Sequence, residues 1–141
     1  MKEKLIRYYM DVAKRTAELS TASKLKVGAI LVKNDNILGF SYNGTPRNWH
    51  TNICEYQDPN IGMKTKPEVS HAEENLIMKL ACSNESSEGG IMFVTHNPCF
   101  ICSRLVYGAK IKKVYYEKDY RDSSGIIFLE NCGIEVIKYG K

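Results

Sequence analysis

The sequence predicts an α/β fold in which a central sheet carries helices on its faces. Three observations predict it. Short apolar, β-branched runs alternate with amphipathic segments of helical period. Those segments come in the order helix, two strands, then three helix–strand pairs, which makes five strands in all. The chain has 141 residues, 43% hydrophobic and 26% charged, enough for one domain over 1–141 with its own core.

Residues 2–20 read as an amphipathic helix, because Leu5, Ile6, Tyr9, Val12, Ala13 and Leu19 recur near a 3.6 period with Lys, Arg and Glu between them. Ser20-Thr21-Ala22-Ser23 breaks it. Val27–Val32 and Ile37–Tyr42 are β-rich runs joined by the turn residues Asn34-Asp35-Asn36, and together read as a hairpin. Residues 43–70 show neither period, and hold Asn43-Gly44-Thr45-Pro46, Asp58-Pro59-Asn60, Gly62 and Pro67. A connection of this length without structure is functional or partly disordered as a rule. It carries the only Trp, Trp49, with His50 and Cys54; the plainer alternative is a solvated loop with one apolar anchor. Ser70 is expected to cap a helix to about residue 83, with Ser70-x-x-Glu73 as a capping box. Ile91–Thr95 reads as a buried strand. Pro98 suits the first turn of a helix to about Tyr107. Lys113–Tyr116 is a strand, 124–131 a helix and Ile134–Ile137 the last strand.

Composition excludes several classes. No apolar run approaches the ~20 residues of a membrane span, and the segment beginning Met1-Lys2-Glu3 lacks the apolar stretch of a secretory signal, so a cytoplasmic setting is expected. Five cysteines, an odd number, argue for metal binding or burial over a disulfide framework. A net charge of +4 with no dense Lys/Arg cluster argues against a duplex DNA or RNA partner.

The chemistry concentrates in His71-Ala72-Glu73 and Pro98-Cys99-Phe100-Ile101-Cys102. Cysteines at i and i+3 lie on nearly one face of a helix. At a first turn, unpaired N–H groups and the positive dipole end favour thiolates. His71 can supply a third ligand, and Glu73 can stand beside the metal without binding it. Three protein ligands leave a fourth position for water, the pattern of a catalytic zinc site. Zinc lowers the pKa of that water toward ~7, and a carboxylate beside it can take and pass on the proton. Other readings stay open. A structural zinc would need a fourth ligand from Cys54, Cys82, Cys132, His50 or His96, none of which has a pairing spacing. A redox Cys-x-x-Cys would leave His-x-Glu idle. Cys82 and Cys132 read as buried small hydrophobes, and His96 as a neutral residue near the site.

The order His-x-Glu … Pro-Cys-x-x-Cys is the signature of the zinc deaminases. With Val27-Gly28-Ala29, His71-Ala72-Glu73-Glu74-Asn75 and Thr95-His96-Asn97-Pro98-Cys99-Phe100-Ile101-Cys102, the chain resembles the cytidine/deoxycytidylate deaminase superfamily almost end to end. Within it, Ser41-Tyr42-Asn43-Gly44-Thr45-Pro46, Ala109–Tyr116 and Gly133–Val136 resemble the deoxycytidylate (dCMP) deaminases of phages and eukaryotes.

That resemblance implies a three-layer αβα fold around a mixed five-stranded sheet. It also implies hydrolysis of dCMP to dUMP and ammonia, feeding thymidylate synthesis. Carried over, His71, Cys99 and Cys102 bind one Zn2+ per chain, and Glu73 shuttles the proton to N3 and then to the leaving amine. Asn43 is expected at the deoxyribose and Ala29 near the base, with Lys26, Tyr120 and Arg121 as phosphate donors. The subfamily implies a homohexamer, activated by dCTP and inhibited by dTTP with Mg2+. Asn43, Gly44 and Thr45, with the 43–70 loop, are expected at that regulatory site. Residues 20–23 contain no cysteine, so a second zinc is not expected. The setting would be cytoplasmic, the host cytoplasm for a viral enzyme, with no membrane and no stable nucleic-acid partner. Alternatives sharing the zinc site are a tRNA or single-stranded nucleic-acid deaminase, a free (deoxy)cytidine deaminase and a non-catalytic zinc-stapled module.

Overall fold

The computed structural model describes residues 1–120 and 122–140. The elements run α1 (Glu3–Ala17), β1 (Gly28–Lys33), β2 (Asn36–Tyr42), β3 (Glu55–Asp58), β4 (Gly62–Thr65), α2 (Ala72–Ala81), β5 (Ile91–His96), α3 (Phe100–Gly108), β6 (Lys113–Lys118), α4 (Ser124–Asn131) and β7 (Glu135–Lys138). The main sheet has the order β2-β1-β5-β6-β7. β1 is antiparallel to both β2 and β5, whereas β5, β6 and β7 are mutually parallel. The parallel pairs follow from the crossover helices α3 and α4, since parallel neighbours need a long connection and antiparallel ones only a turn. Asn34 and Asp35 both take positive φ (53° and 60°) in the β1–β2 turn, which suits residues that tolerate the left-handed region.

Strand alternation sorts the side chains into two cores. On one face Ile30, Val32, Phe93 and Tyr115 pack against Tyr9, Met10 and Ala13 of α1. On the other Ala29, Leu31, Met92, Val94 and Val114 pack against Leu76 and Leu80 of α2, Val106 of α3 and Leu129 of α4. The result is three layers, one helix on one side and three on the other, around a mixed five-stranded sheet. The expected architecture is observed. Gly28 allows a close approach of α1 to β1: a Cβ there would sit 2.2 Å from the Ala13 carbonyl oxygen and 2.5 Å from the Ala17 nitrogen.

Three expectations about elements are corrected. The 43–70 connection is not structureless, because β3 and β4 form a hairpin with Glu55 opposite Thr65 and Asp58 opposite Gly62. The Asp58 carboxylate accepts the N–H groups of Asn60 and Ile61, and Gly62 takes φ +94°. Most of its side chains stay in solvent, so no apolar alternation marks it in the sequence. The cap of α2 is also one residue later than expected. Ser70 is still extended, bridged to Gly44 by two backbone hydrogen bonds. His71 is the N-cap, and its N–H donates to the Glu74 carboxylate at 2.6 Å. Glu74, not Glu73, takes the capping role. Likewise Pro98 stands just outside α3, whose N-cap is Cys99. Among the described residues, no helix is long and apolar enough to cross a membrane.

Candidate active site

Two helix starts carry the site. His71 and Cys99 are both N-cap residues with extended backbone (ψ 158° and 172°), so each side chain projects from the end of its helix. Cys102, one turn into α3, aims at the same point. The Nδ1 of His71 lies 3.3 Å from the Cys102 Sγ and 3.6 Å from the Cys99 Sγ. All three ligand atoms fall within 4.8 Å of one another. A tetrahedral ion with ordinary Zn–S and Zn–N bonds would separate sulfur from nitrogen by about 3.6 Å. The spacing therefore fits zinc, and the donor set of one imidazole and two thiols fits it chemically. Among the described residues no other group of three such donors gathers. Among the described residues this group holds three donors and no fourth, which leaves the open position of a catalytic site.

The electrostatics show what the donors do without metal. The Cys99 thiol is held down at about 4, first by the hydrogen bond from Cys102 and then by His71. The Cys102 N–H also points at the Cys99 sulfur, 3.4 Å away. His71 is raised to about 9, chiefly by its hydrogen bond to Cys99. Cys102 is pushed upward by its own hydrogen bond with Cys99 and by burial. One thiolate, one thiol and an imidazolium result, and a divalent ion would displace the remaining protons. Glu73, at the second helical position of α2, is 4% exposed, and burial raises its carboxyl to about 7. A carboxyl poised there can both accept and give a proton near neutral pH.

A cavity of about 450 Å³ opens over these groups. Its walls include Lys24, Val27, Asn43, Glu55, His96, Asn97 and Tyr120, with His71, Glu73 and Cys99 among its lining. Asn43 pins the segment leading into β1, for its Oδ1 accepts from Val27 N–H (2.9 Å) and its Nδ2 donates to the Leu25 carbonyl (2.8 Å). Asn97 holds the segment after β6, donating to the Asp122 carbonyl at 3.0 Å and accepting from Tyr120 N–H. Glu55, at the start of β3, accepts from Ser23 and Lys24 N–H (2.9 and 3.2 Å) and so ties the hairpin to the cavity wall.

The structure brings His71, Glu73, Asn43, Cys99 and Tyr120 to this cavity, with Cys102 behind Cys99. It does not bring Ala29 or Lys26. Ala29 is fully buried in the core on the α2 side, and Val27 lines the cavity instead. Lys24, two residues earlier than Lys26, is the lining lysine. Gly44 and Thr45 lie outside the lining; Gly44 bridges Ser70 and Thr45 donates to the Thr51 carbonyl at 3.0 Å. Arg121 lies outside the described residues. Sequence reasoning missed Lys24 and Glu55, whereas His96, expected near the site, lines the cavity. No local motif marks the first two, and the Glu55 contact spans 31 and 32 positions.

Comparison with known proteins agrees with this geometry. The profile described as "Cytidine and deoxycytidylate deaminase zinc-binding region" matches residues 3–118. The dCMP deaminase of cyanophage S-TIM5, solved in complex with dCMP and dUMP, superposes with a TM-score of 0.93 at 44% identity, covering 98% of each chain. The deoxycytidylate deaminase of Mycobacterium phage D29 is 31% identical over 122 residues, 79% of this chain and 93% of its own. That of Schizosaccharomyces pombe is 31% identical over 140 residues, 94% of this chain, which spans only 43% of the yeast protein. A profile match over most of the chain and a whole-chain likeness to a phage enzyme place the protein: it belongs to the cytidine and deoxycytidylate deaminase family, whose zinc-binding region it carries.

Proposed function

We propose that the protein hydrolyses dCMP to dUMP and ammonia. The observation that carries this reading is the likeness, over 98% of both chains, to a phage deaminase solved with dCMP and dUMP. The site supplies the chemistry. His71, Cys99 and Cys102 would hold zinc, which when bound supplies a Lewis acid that lowers the pKa of a water. Glu73 takes a proton from the attacking water and delivers it to N3 of the cytosine. It then delivers the second proton to the leaving amino nitrogen, so that water adds one oxygen at C4 and ammonia departs. Burial of Glu73 matches this double duty, because a carboxyl near neutrality is reloaded easily.

Lys24 is the proposed partner of the phosphate, supported by its place in the cavity wall. Asn43 keeps one amide hydrogen and one oxygen lone pair beyond its two backbone bonds, and these suit a sugar hydroxyl. A homohexamer with dCTP activation, and dTTP inhibition with Mg2+, through Asn43, Gly44 and Thr45 belongs to the same proposal. Ammonia release from dCMP by zinc-loaded protein, with and without dCTP, tests the activity; sedimentation tests the assembly. Glu73→Gln is expected to retain fold and zinc while turnover falls about 10²–10⁴-fold, the range of general acid–base catalysis. Undiminished turnover would remove Glu73 from the mechanism, and no ammonia from the unmodified protein would remove dCMP.

A further inference from the structure

His96 ends β5 and lines the cavity beside Asn97, yet its hydrogen bonding differs from that of its neighbours. Asn43 and Asn97 each bond backbone groups at both ends of their amides, and Glu55 accepts two backbone N–H groups. The His96 Nδ1 meets only the Thr95 Oγ1, at 3.1 Å, and among the described residues its Nε2 has no partner.

The tautomer follows from Thr95. That residue is 4% exposed, and its Oγ1 accepts from Gly28 N–H at 3.2 Å. Among the described residues the Thr95 hydroxyl has no acceptor other than His96. Were Nδ1 to carry the hydrogen, the buried O–H would be left without an acceptor, which is costly. The hydroxyl therefore donates to Nδ1, and the ring proton sits on Nε2. Burial, with Lys118 adding to it, lowers the His96 pKa and keeps the ring neutral.

We propose that His96 is a substrate-contacting residue, a neutral Nε2–H donor to an oxygen of the bound nucleotide, held in that tautomer by the Gly28–Thr95 relay. The inference rests on the nucleotide-deaminase reading for its ligand, and on the relay alone for its tautomer. The oxygen belongs to the phosphate or to the nucleoside, and the two sources are separable.

The chain has three histidines, so ¹⁵N-histidine NMR on zinc-loaded protein resolves each ring. The expected result is a His96 ring protonated on Nε2, with that signal shifting on addition of dUMP. Thr95→Val should abolish the tautomer preference without loss of fold. His96→Leu should raise the KM for dCMP about tenfold with kcat little changed, the scale of one hydrogen bond to a charged or strongly polar oxygen. His96→Gln, which keeps an N–H donor, should recover most of that loss. A KM penalty for dCMP that is absent with deoxycytidine assigns the phosphate; an equal penalty with both assigns the nucleoside. A ring protonated on Nδ1, no dUMP-dependent shift, or an unchanged KM in a folded His96→Leu protein overturns the proposal. The ring signals are read on the unmodified protein without turnover, so they decide the tautomer even if dCMP proves not to be the substrate.

Discussion

Cys99 and Cys102 are the same residue type one helical turn apart, yet they are chemically unlike. Cys99 is half-buried at the N-cap and its thiol is held at about 4, whereas Cys102 is 1% exposed and pushed upward. Since the thiolate is the nucleophile, the metal-free protein should be alkylated by iodoacetamide at Cys99 first, even at pH 6. At that pH a thiol with its ordinary value of 9.0 is almost wholly protonated. The sign follows from the direction of the shift: reactivity at Cys99 persists down toward pH 4 and fades below it. Site mapping by mass spectrometry checks this, and faster labelling of Cys102 would refute it. Zinc should protect both. Glu73 and Glu74 show the same dependence on position. Glu74 faces the helix end and accepts the His71 N–H, which leaves the buried Glu73 to the site.

At the scale of elements, the first turn of α4 sets the ligand loop. A Cβ on Gly125 would lie 2.2 Å from the Pro98 carbonyl oxygen, 2.5 Å from the Ser103 Oγ and 2.8 Å from the Cys99 carbonyl oxygen. The Ser103 hydroxyl is fully buried beside it, with no hydrogen-bond partner among the described residues. Gly125→Ala gains about 1 kcal/mol of helix propensity but overpacks a backbone contact, at a cost of about 1–3 kcal/mol. Net destabilisation is expected, together with faster release of zinc to a chelator, because Cys99 moves with the loop. An unchanged urea midpoint and an unchanged release rate would show that α4 gives way freely. The β3–β4 hairpin is an element of another kind. Glu55 and the donation from Thr21 Oγ1 to the Asn52 carbonyl at 2.5 Å tie the hairpin region to residues 21–24, of which Ala22 and Lys24 line the cavity.

For the molecule as a whole, the sheet is the frame on which both cores and the site depend. Phe93 is fully buried at its centre, stacked on Tyr115 at 4.8 Å between ring centroids and against Tyr9 at 5.4 Å. Phe93→Ala should cost about 3–5 kcal/mol, as large-to-small changes in packed cores do. Equilibrium urea unfolding of the zinc-loaded protein measures it; a loss under about 1 kcal/mol would mean that the α1 face can collapse around the gap. Phe93 points to the α1 side, whereas the site lies on the side of α2 and α3. The folded fraction should therefore fall while zinc stoichiometry per folded molecule holds.

The sequence by itself determined the periodic elements, and with them the layers. Alternation along Ile30–Val32 and Met92–Val94 already divides the side chains between two faces, because the period of a strand is two. It also carried the donor set His71, Cys99 and Cys102 and the acid Glu73, since all four stand at helix starts in a recognisable order. Only the tertiary structure decided which residues meet. His71 and Cys102 are 31 positions apart and come to 3.3 Å because α2 and α3 pack into the same core on one face of the sheet. The hairpin at 55–65 was illegible because its side chains are mostly solvated and leave no apolar period. That Lys24 and Val27, and not Lys26 and Ala29, line the cavity was illegible for another reason. Asn43 and Glu55, both distant in sequence, fix how residues 23–27 turn toward the cavity, and no local pattern encodes contacts made that far away.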